Sequence, residues 1–172
     1  MTNRAVIDHL SEHVAGLRRY AFALTGGQQE AEDLVQDTLV RALAAARSFR
    51  TGGNLRAWLF SIMHNAFVSG TRRRCPPTIA LDEDAWAVAE PPTQLIQLEL
   101  RDVLAALAQL PEAQRAALSL IALEDFSYEE AAKVQGIPLG TLMSRLARGR
   151  EALRQIMRGD QTVPLRVVGG KR

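Results

Sequence analysis

Apolar positions recur at helical spacing along most of this 172-residue chain. Val14, Leu17, Ala21 and Leu24 fall three or four residues apart and stop at Thr25-Gly26-Gly27, which predicts a first helix ending there. Leu34, Val35, Leu39, Ala42, Leu43 and Ala46 mark a second helix, and Glu30, Glu32 and Asp33 at its start suit the positive end of the helix dipole. Gly52-Gly53-Asn54 reads as a turn with Asn54 capping a third helix, Leu55 to Val68, whose apolar side carries Leu55, Trp58, Leu59, Ile62 and Ala66.

The pattern then breaks. Cys75-Pro76-Pro77 and Pro91-Pro92-Thr93 bracket a stretch in which helix is disfavoured, so a linker over 76–95 is predicted between a first domain, 1–75, and a second, 96–160. Ile79, Leu81, Trp86 and Val88 within it are available to dock on a neighbour. Leu100, Leu104 and Leu107 open the second domain on a helix that halts at Leu110-Pro111. Pro111 fits the first position of the next helix, about Glu112 to Leu123. Ser127 and Glu130 then stand at capping-box spacing before a short helix to Gln135. Gly136-Ile137-Pro138 ends it, and an Arg-rich helix from about Leu139 to Met157 follows. Residues 161–172 read as a loose tail. The fold class expected is all-α, two small helical domains joined by a tether.

Composition agrees with an alphabet of helix formers: hydrophobic residues are 47% and aromatics only 5%. No apolar run approaches the ~20 residues of a bilayer span, and Asp8, His9, Glu12 and His13 so close to Met1 predict no secretory leader. The single Cys75 cannot pair internally, so a reducing, cytoplasmic location is expected. Charge is uneven beneath a net +2: residues 1–75 hold 10 basic and 6 acidic side chains, residues 76–95 hold 4 acidic and no basic ones, and residues 96–172 hold 11 and 9. Arg72-Arg73-Arg74 and the series Arg145, Arg148, Arg150, Arg154, Arg158 concentrate the positive charge, as a polyanion partner held at two places requires; the plainer reading of either is a solvated helix face.

Helix, tight Gly-containing turn and Arg-bearing helix together form the pattern of a helix-turn-helix, whose second helix presents N-terminal side chains to the major groove. Those side chains here include Thr141, Met143, Ser144, Arg145 and Arg148, with Ala131, Ala132, Ile137, Leu142 and Leu146 as packing positions. Arg reads guanine in bidentate fashion, and Ser or Thr hydroxyls reach phosphate or base. Catalytic readings find little support. His9 and His13 lie four apart but lack a third metal ligand, His64 and Cys75 are isolated, and neither Gly pair is followed by phosphate-binding Lys-Ser/Thr. No metal, cofactor or enzymatic activity is expected.

Ala31-Glu-Asp-Leu-Val-Gln-Asp-Thr-Leu-Val-Arg-Ala-Leu43 and Leu55-Arg-Ala-Trp-Leu-Phe-Ser-Ile-Met-His-Asn65 resemble region 2 of a bacterial sigma factor. Phe126-Ser-Tyr-Glu-Glu-Ala-Ala132 and Gly140-Thr-Leu-Met-Ser-Arg-Leu-Ala-Arg-Gly-Arg150 resemble region 4. The ordered set, spanning about Leu10 to Met157, is similar to the extracytoplasmic-function (ECF) sigma factors, and Leu17-Arg-Arg-Tyr-Ala21 to their alphaproteobacterial general-stress branch. The resemblance implies a subunit that joins the β′ and β subunits of core RNA polymerase and recognises −35 and −10 promoter elements, under the control of an anti-sigma factor. By the same resemblance, Asp33, Leu34, Gln36, Asp37, Val40 and Arg41 would contact the polymerase; Asn65, Phe60, Arg72, Arg73 and Arg74 would meet −10 DNA, with Trp58 in the core; and Thr141, Ser144, Arg145, Arg148 and Arg150 would meet −35 DNA. The acidic linker would thread near the RNA exit path, either mimicking nucleic acid or simply staying soluble. Met143 departs from the family, which often has Lys or Arg there, and leaves the −35 preference open. Two other readings compete: a free-standing regulator that binds duplex without polymerase, and a decoy that sequesters an anti-sigma protein, against which the intact Arg145, Arg148 and Arg150 argue.

Overall fold

The computed structural model describes residues 2–49, 52–71, 103 and 105–158. Helices α1 (Thr2–Thr25), α2 (Gln28–Ala45) and α3 (Leu55–Thr71) form the first half, with a 3-10 turn at Ala46–Ser48. Helices α4 (Glu112–Ala122), α5 (Tyr128–Gln135) and α6 (Leu139–Met157) form the second, and the regular structure among the described residues is all helical. The expected linker, 76–95, and tail, 161–172, lie outside the described residues, as do Leu100 and Leu104.

The local signals act where the sequence places them. The Asn54 carboxamide oxygen accepts from the Ala57 amide at 3.0 Å, satisfying a donor that α3 could not bond internally. Ser127 and Glu130 close a reciprocal capping box, the Glu130 amide donating to the Ser127 hydroxyl at 3.2 Å and the Ser127 amide to the Glu130 carboxylate at 3.1 Å. These bonds hold the Glu130 pKa below the usual carboxylate value. Gly136, at φ 63°, supplies the left-handed step that turns the chain between α5 and α6. Pro111 differs from expectation: it stands one residue earlier, as the extended cap before α4, and its carbonyl accepts from the Arg115 amide at 3.0 Å.

In the first half α1 packs on α2 and α3, burying Leu17, Tyr20, Leu24, Leu59 and Met63 completely. In the second, α4 and α5 pack on α6 around Leu120, Val134, Leu142 and Leu146. Gly149 lets α6 approach α4, since a Cβ there would lie 2.9 Å from Leu118 Cδ1. The halves are not independent modules: α1 packs on α4 and α3 on α5, so one apolar core runs through both.

Buried beneath that junction, the Tyr20 hydroxyl and Nδ1 of a neutral His64 share a hydrogen bond at 3.1 Å. Burial, then the positive charge of Arg145, lowers the His64 pKa to about 4. The unfolded ring titrates near its ordinary value of 6.5, so the unfolded chain takes up a proton that the folded one refuses. Stability is therefore expected to fall as pH drops from about 6.5 towards 4, by up to about 3 kcal/mol. Urea titrations across that range check this, and His64→Gln should flatten the dependence.

Candidate functional site

Two surfaces and one internal contact stand out. On α6 the buried positions Leu142, Leu146 and Gly149 define the inward side. At 100° per residue, Ser144 and Arg148 lie opposite it and both are exposed. Thr141 and Arg145 fall on one flank and are half-buried, while exposed Arg150 falls on the other. The Arg145 guanidinium donates to Gln135 Oε1 at 2.9 Å, Arg148 only to its own helix at Ser144 O (3.2 Å), and Arg150 to the Tyr128 hydroxyl at 3.3 Å. The five residues expected at −35 DNA thus share one helix but not one flat face. Ser144 and Arg148 form the open centre, with Arg145 tied into the turn beneath them.

On α2, Asp33, Gln36, Val40 and Arg41 are exposed and Asp37 half-exposed. Arg41 Nε donates to both Asp37 oxygens at 2.9 Å, a pair one helical turn apart. Val40 is 65% exposed and Leu43, expected in the buried stripe, is 45% exposed, so an apolar strip rimmed by charges faces outward. Leu34 is corrected: it points into the core beside Val35 and cannot be part of that outer surface.

On α3, Asn65 is exposed. Phe60 is also corrected. It has no exposed surface and packs between Tyr20 (ring centroids 5.4 Å) and Phe126 (5.0 Å, edge to face), so it cannot stack on a base here. Trp58 is half-buried against Phe49, with ring centroids 5.0 Å apart, on the core side expected of it. Arg72, Arg73 and Arg74 lie outside the described residues.

The internal contact was not foreseen. Glu124, only 2% exposed, leaves the end of α4 and enters the first half. Arg19 grips its carboxylate with two bonds, at 2.9 and 3.1 Å, and Arg56 adds a third at 3.1 Å while also donating to the Glu124 carbonyl. Gly16 makes room, because a Cβ there would lie 2.6 Å from Glu124 Oε2. The Arg56 guanidinium also lies 4.4 Å from the centre of the Phe126 ring. Two more bonds cross the junction: Arg115 to the Leu24 carbonyl at 2.8 Å, and the Asn54 amide to Glu130 at 2.9 Å. Asn54 therefore caps α3 and reaches the cap of α5 at once. Among the described residues no three His, Cys, Asp or Glu side chains group as a metal site, and no helix is long and apolar enough to cross a membrane.

Residues 10–64 match the Sigma2 domain of PhyR, and residues 100–153 match region 4 of sigma-70. The chain is 42% identical over 154 residues to the ECF RNA polymerase sigma factor EcfG of Rhodopseudomonas palustris, covering 89% of this chain and 85% of that one. It belongs to the ECF RNA polymerase sigma factors. Solved sigma-factor structures share its fold. The sigma factor RpoE of Bartonella quintana, in complex with the anti-sigma factor NepR, matches with a TM-score of 0.73 at 37% identity, over 90% of this chain and 97% of that one. The PhyRSL–NepR complex of Sphingomonas sp. Fr1 matches with a TM-score of 0.67 at 25% identity, over 96% and 94%. In this ECF sigma factor, region 2 is the α1–α3 half and region 4 holds the helix-turn-helix of α5 and α6.

Proposed function

We propose that this sigma factor docks on core RNA polymerase through the outer face of α2, places Asn65 and the Arg72–Arg74 patch at −10 DNA, and reads the −35 element with Ser144 and Arg148 at the centre of α6. The observation that supports this reading best is the outward face of α6, where a Ser and an Arg stand uncovered on the second helix of a helix-turn-helix. Arg145 and Thr141 border the base-reading surface, and Arg150 holds phosphate. Val40 and Leu43 supply the apolar centre of the polymerase contact, with Asp33, Gln36, Asp37 and Arg41 as its polar rim. The protein works in the cytoplasm, chemistry belongs to the polymerase, and an anti-sigma protein holds the factor idle, as the NepR complex of its RpoE relative suggests.

The −35 and −10 elements are centred about 25 base pairs apart, about 85 Å of B-form duplex. Two halves clasped through Glu124 cannot sit on both, so the clasp opens on the promoter.

Arg148→Ala is expected to lose about 1–3 kcal/mol of −35 discrimination, fivefold or more, with polymerase affinity unchanged. Competition between promoter duplexes differing only at −35 measures it, and unchanged selectivity contradicts the assignment of α6. Val40→Asp should instead abolish co-elution with core polymerase while leaving the fold intact. Wild-type co-elution by this variant removes α2 as the docking face.

A further inference from the structure

Met143 is 44% exposed near the start of α6, an unusual place for a large apolar side chain, and Leu139 one turn before it is 43% exposed. At 100° per residue it lies 100° from Ser144 and 140° from Arg148, on the flank that carries Arg150. Its neighbours one turn away are Leu139, Gly140 and Ala147, all exposed, and a Cβ built on Gly140 would meet nothing within 4 Å. Met143 therefore stands clear of the surface, and the helix around it is thin enough to approach a partner closely.

We propose that Met143 reads thymine in the −35 element through the C5 methyl group. The inference rests on the DNA-reading assignment of α6 above. A thioether has no proton to donate, no charge and only a weakly accepting sulfur, so it takes little part in the polar code of base edges. Thymine's methyl is the one apolar group the major groove displays, and contact with it is the readout open to such a side chain. The flexible, polarisable Met chain fits itself to that methyl with little demand on geometry. Ser144 and Arg148 on the open face supply the hydrogen bonds and phosphate attraction that seat the helix, leaving Met143 at its edge to select one base pair by shape and water exclusion.

The test uses holoenzyme formed from the full chain and core polymerase. A promoter library randomised over the −35 window is prepared twice, once with thymine and once with deoxyuridine, which lacks the methyl; bound duplexes are sequenced. The wild-type protein should enrich thymine at one −35 position, and uracil there should lower binding about fourfold, the effect of withdrawing one buried methyl. Met143→Ala should bind thymine and uracil equally at that position and keep its other preferences, whereas Met143→Leu should retain the discrimination. The proposal is overturned if the wild-type motif contains no thymine, if uracil is tolerated at every position, or if Met143→Ala still discriminates. It is equally overturned if Met143→Ala loses polymerase binding while base preferences persist, which would assign the side chain to a protein contact. Failure of the wild-type protein to enrich any −35 motif would overturn the reading of α6 itself, a result distinct from all of these.

Discussion

Phe60→Ala is expected to destabilise the protein by about 3–5 kcal/mol, the range for truncating a buried aromatic. The ring has no exposed surface and is packed by Tyr20 from α1, by Phe126 from the second half and by the Arg56 guanidinium 5.6 Å from its centre. Alanine leaves a void that its neighbours cannot close together, since Tyr20 is fixed on α1 and Phe126 on the loop between α4 and α5. Urea unfolding followed by circular dichroism gives the value. Stability within about 0.5 kcal/mol of wild type would contradict this burial.

Glu124→Ala is expected to have a comparable effect through a different mechanism. The carboxylate is buried, receives two bonds from Arg19 and one from Arg56, and occupies the space that Gly16 leaves open. Its removal strands two guanidinium groups at the junction of the halves. Both still reach water, so the loss should be about 3 kcal/mol, the low end for breaking a buried charge pair. Because the junction rather than either half is weakened, the variant should also expand. Small-angle scattering should report a larger radius of gyration than wild type, and Gly16→Leu, which fills the pocket from the other side, should do the same. Unchanged dimensions in both would mean that the apolar contact around Phe126 and the Arg115–Leu24 and Asn54–Glu130 bonds close the halves without Glu124.

Helices and caps were legible because their signals are local. The stripe of Val14, Leu17, Ala21 and Leu24, the Asn54 cap, the Ser127–Glu130 box and the Gly136 turn each lie within a few residues of the structure they specify. The junction was not legible. Glu124 and Arg19 are 105 positions apart, and nothing in spacing says that a Glu in Leu123-Glu124-Asp125 turns inward. Phe60 was misplaced for the same reason. An amphipathic reading of α3 assumes one buried side, here Leu55, Trp58, Leu59, Ile62 and Ala66, and assigns Phe60 to solvent or ligand; the second half covers that other side through α5 and Phe126. Leu43 failed in reverse. It continues the apolar stripe of α2 but is 45% exposed, and with Val40 it forms the outward apolar strip proposed above to meet core polymerase. Of the candidate surfaces, residue types were readable and directions only partly so: Ser144 and Arg148 face out as the pattern implied, whereas Arg145 is tied to Gln135, a contact that depends on how the turn folds.

Promoter-directed transcription by purified components tests the whole reading most directly. Core polymerase is supplied with the full chain and a library of duplexes randomised at both the −35 and −10 elements, and run-off products are sequenced. The account predicts transcripts only when the chain is present, starting from templates enriched for a shared motif at both elements, and loss of −35 enrichment alone with Arg148→Ala. Transcription that is no greater with the chain than without it, or tight duplex binding by the isolated chain that core polymerase does not enhance, would contradict it.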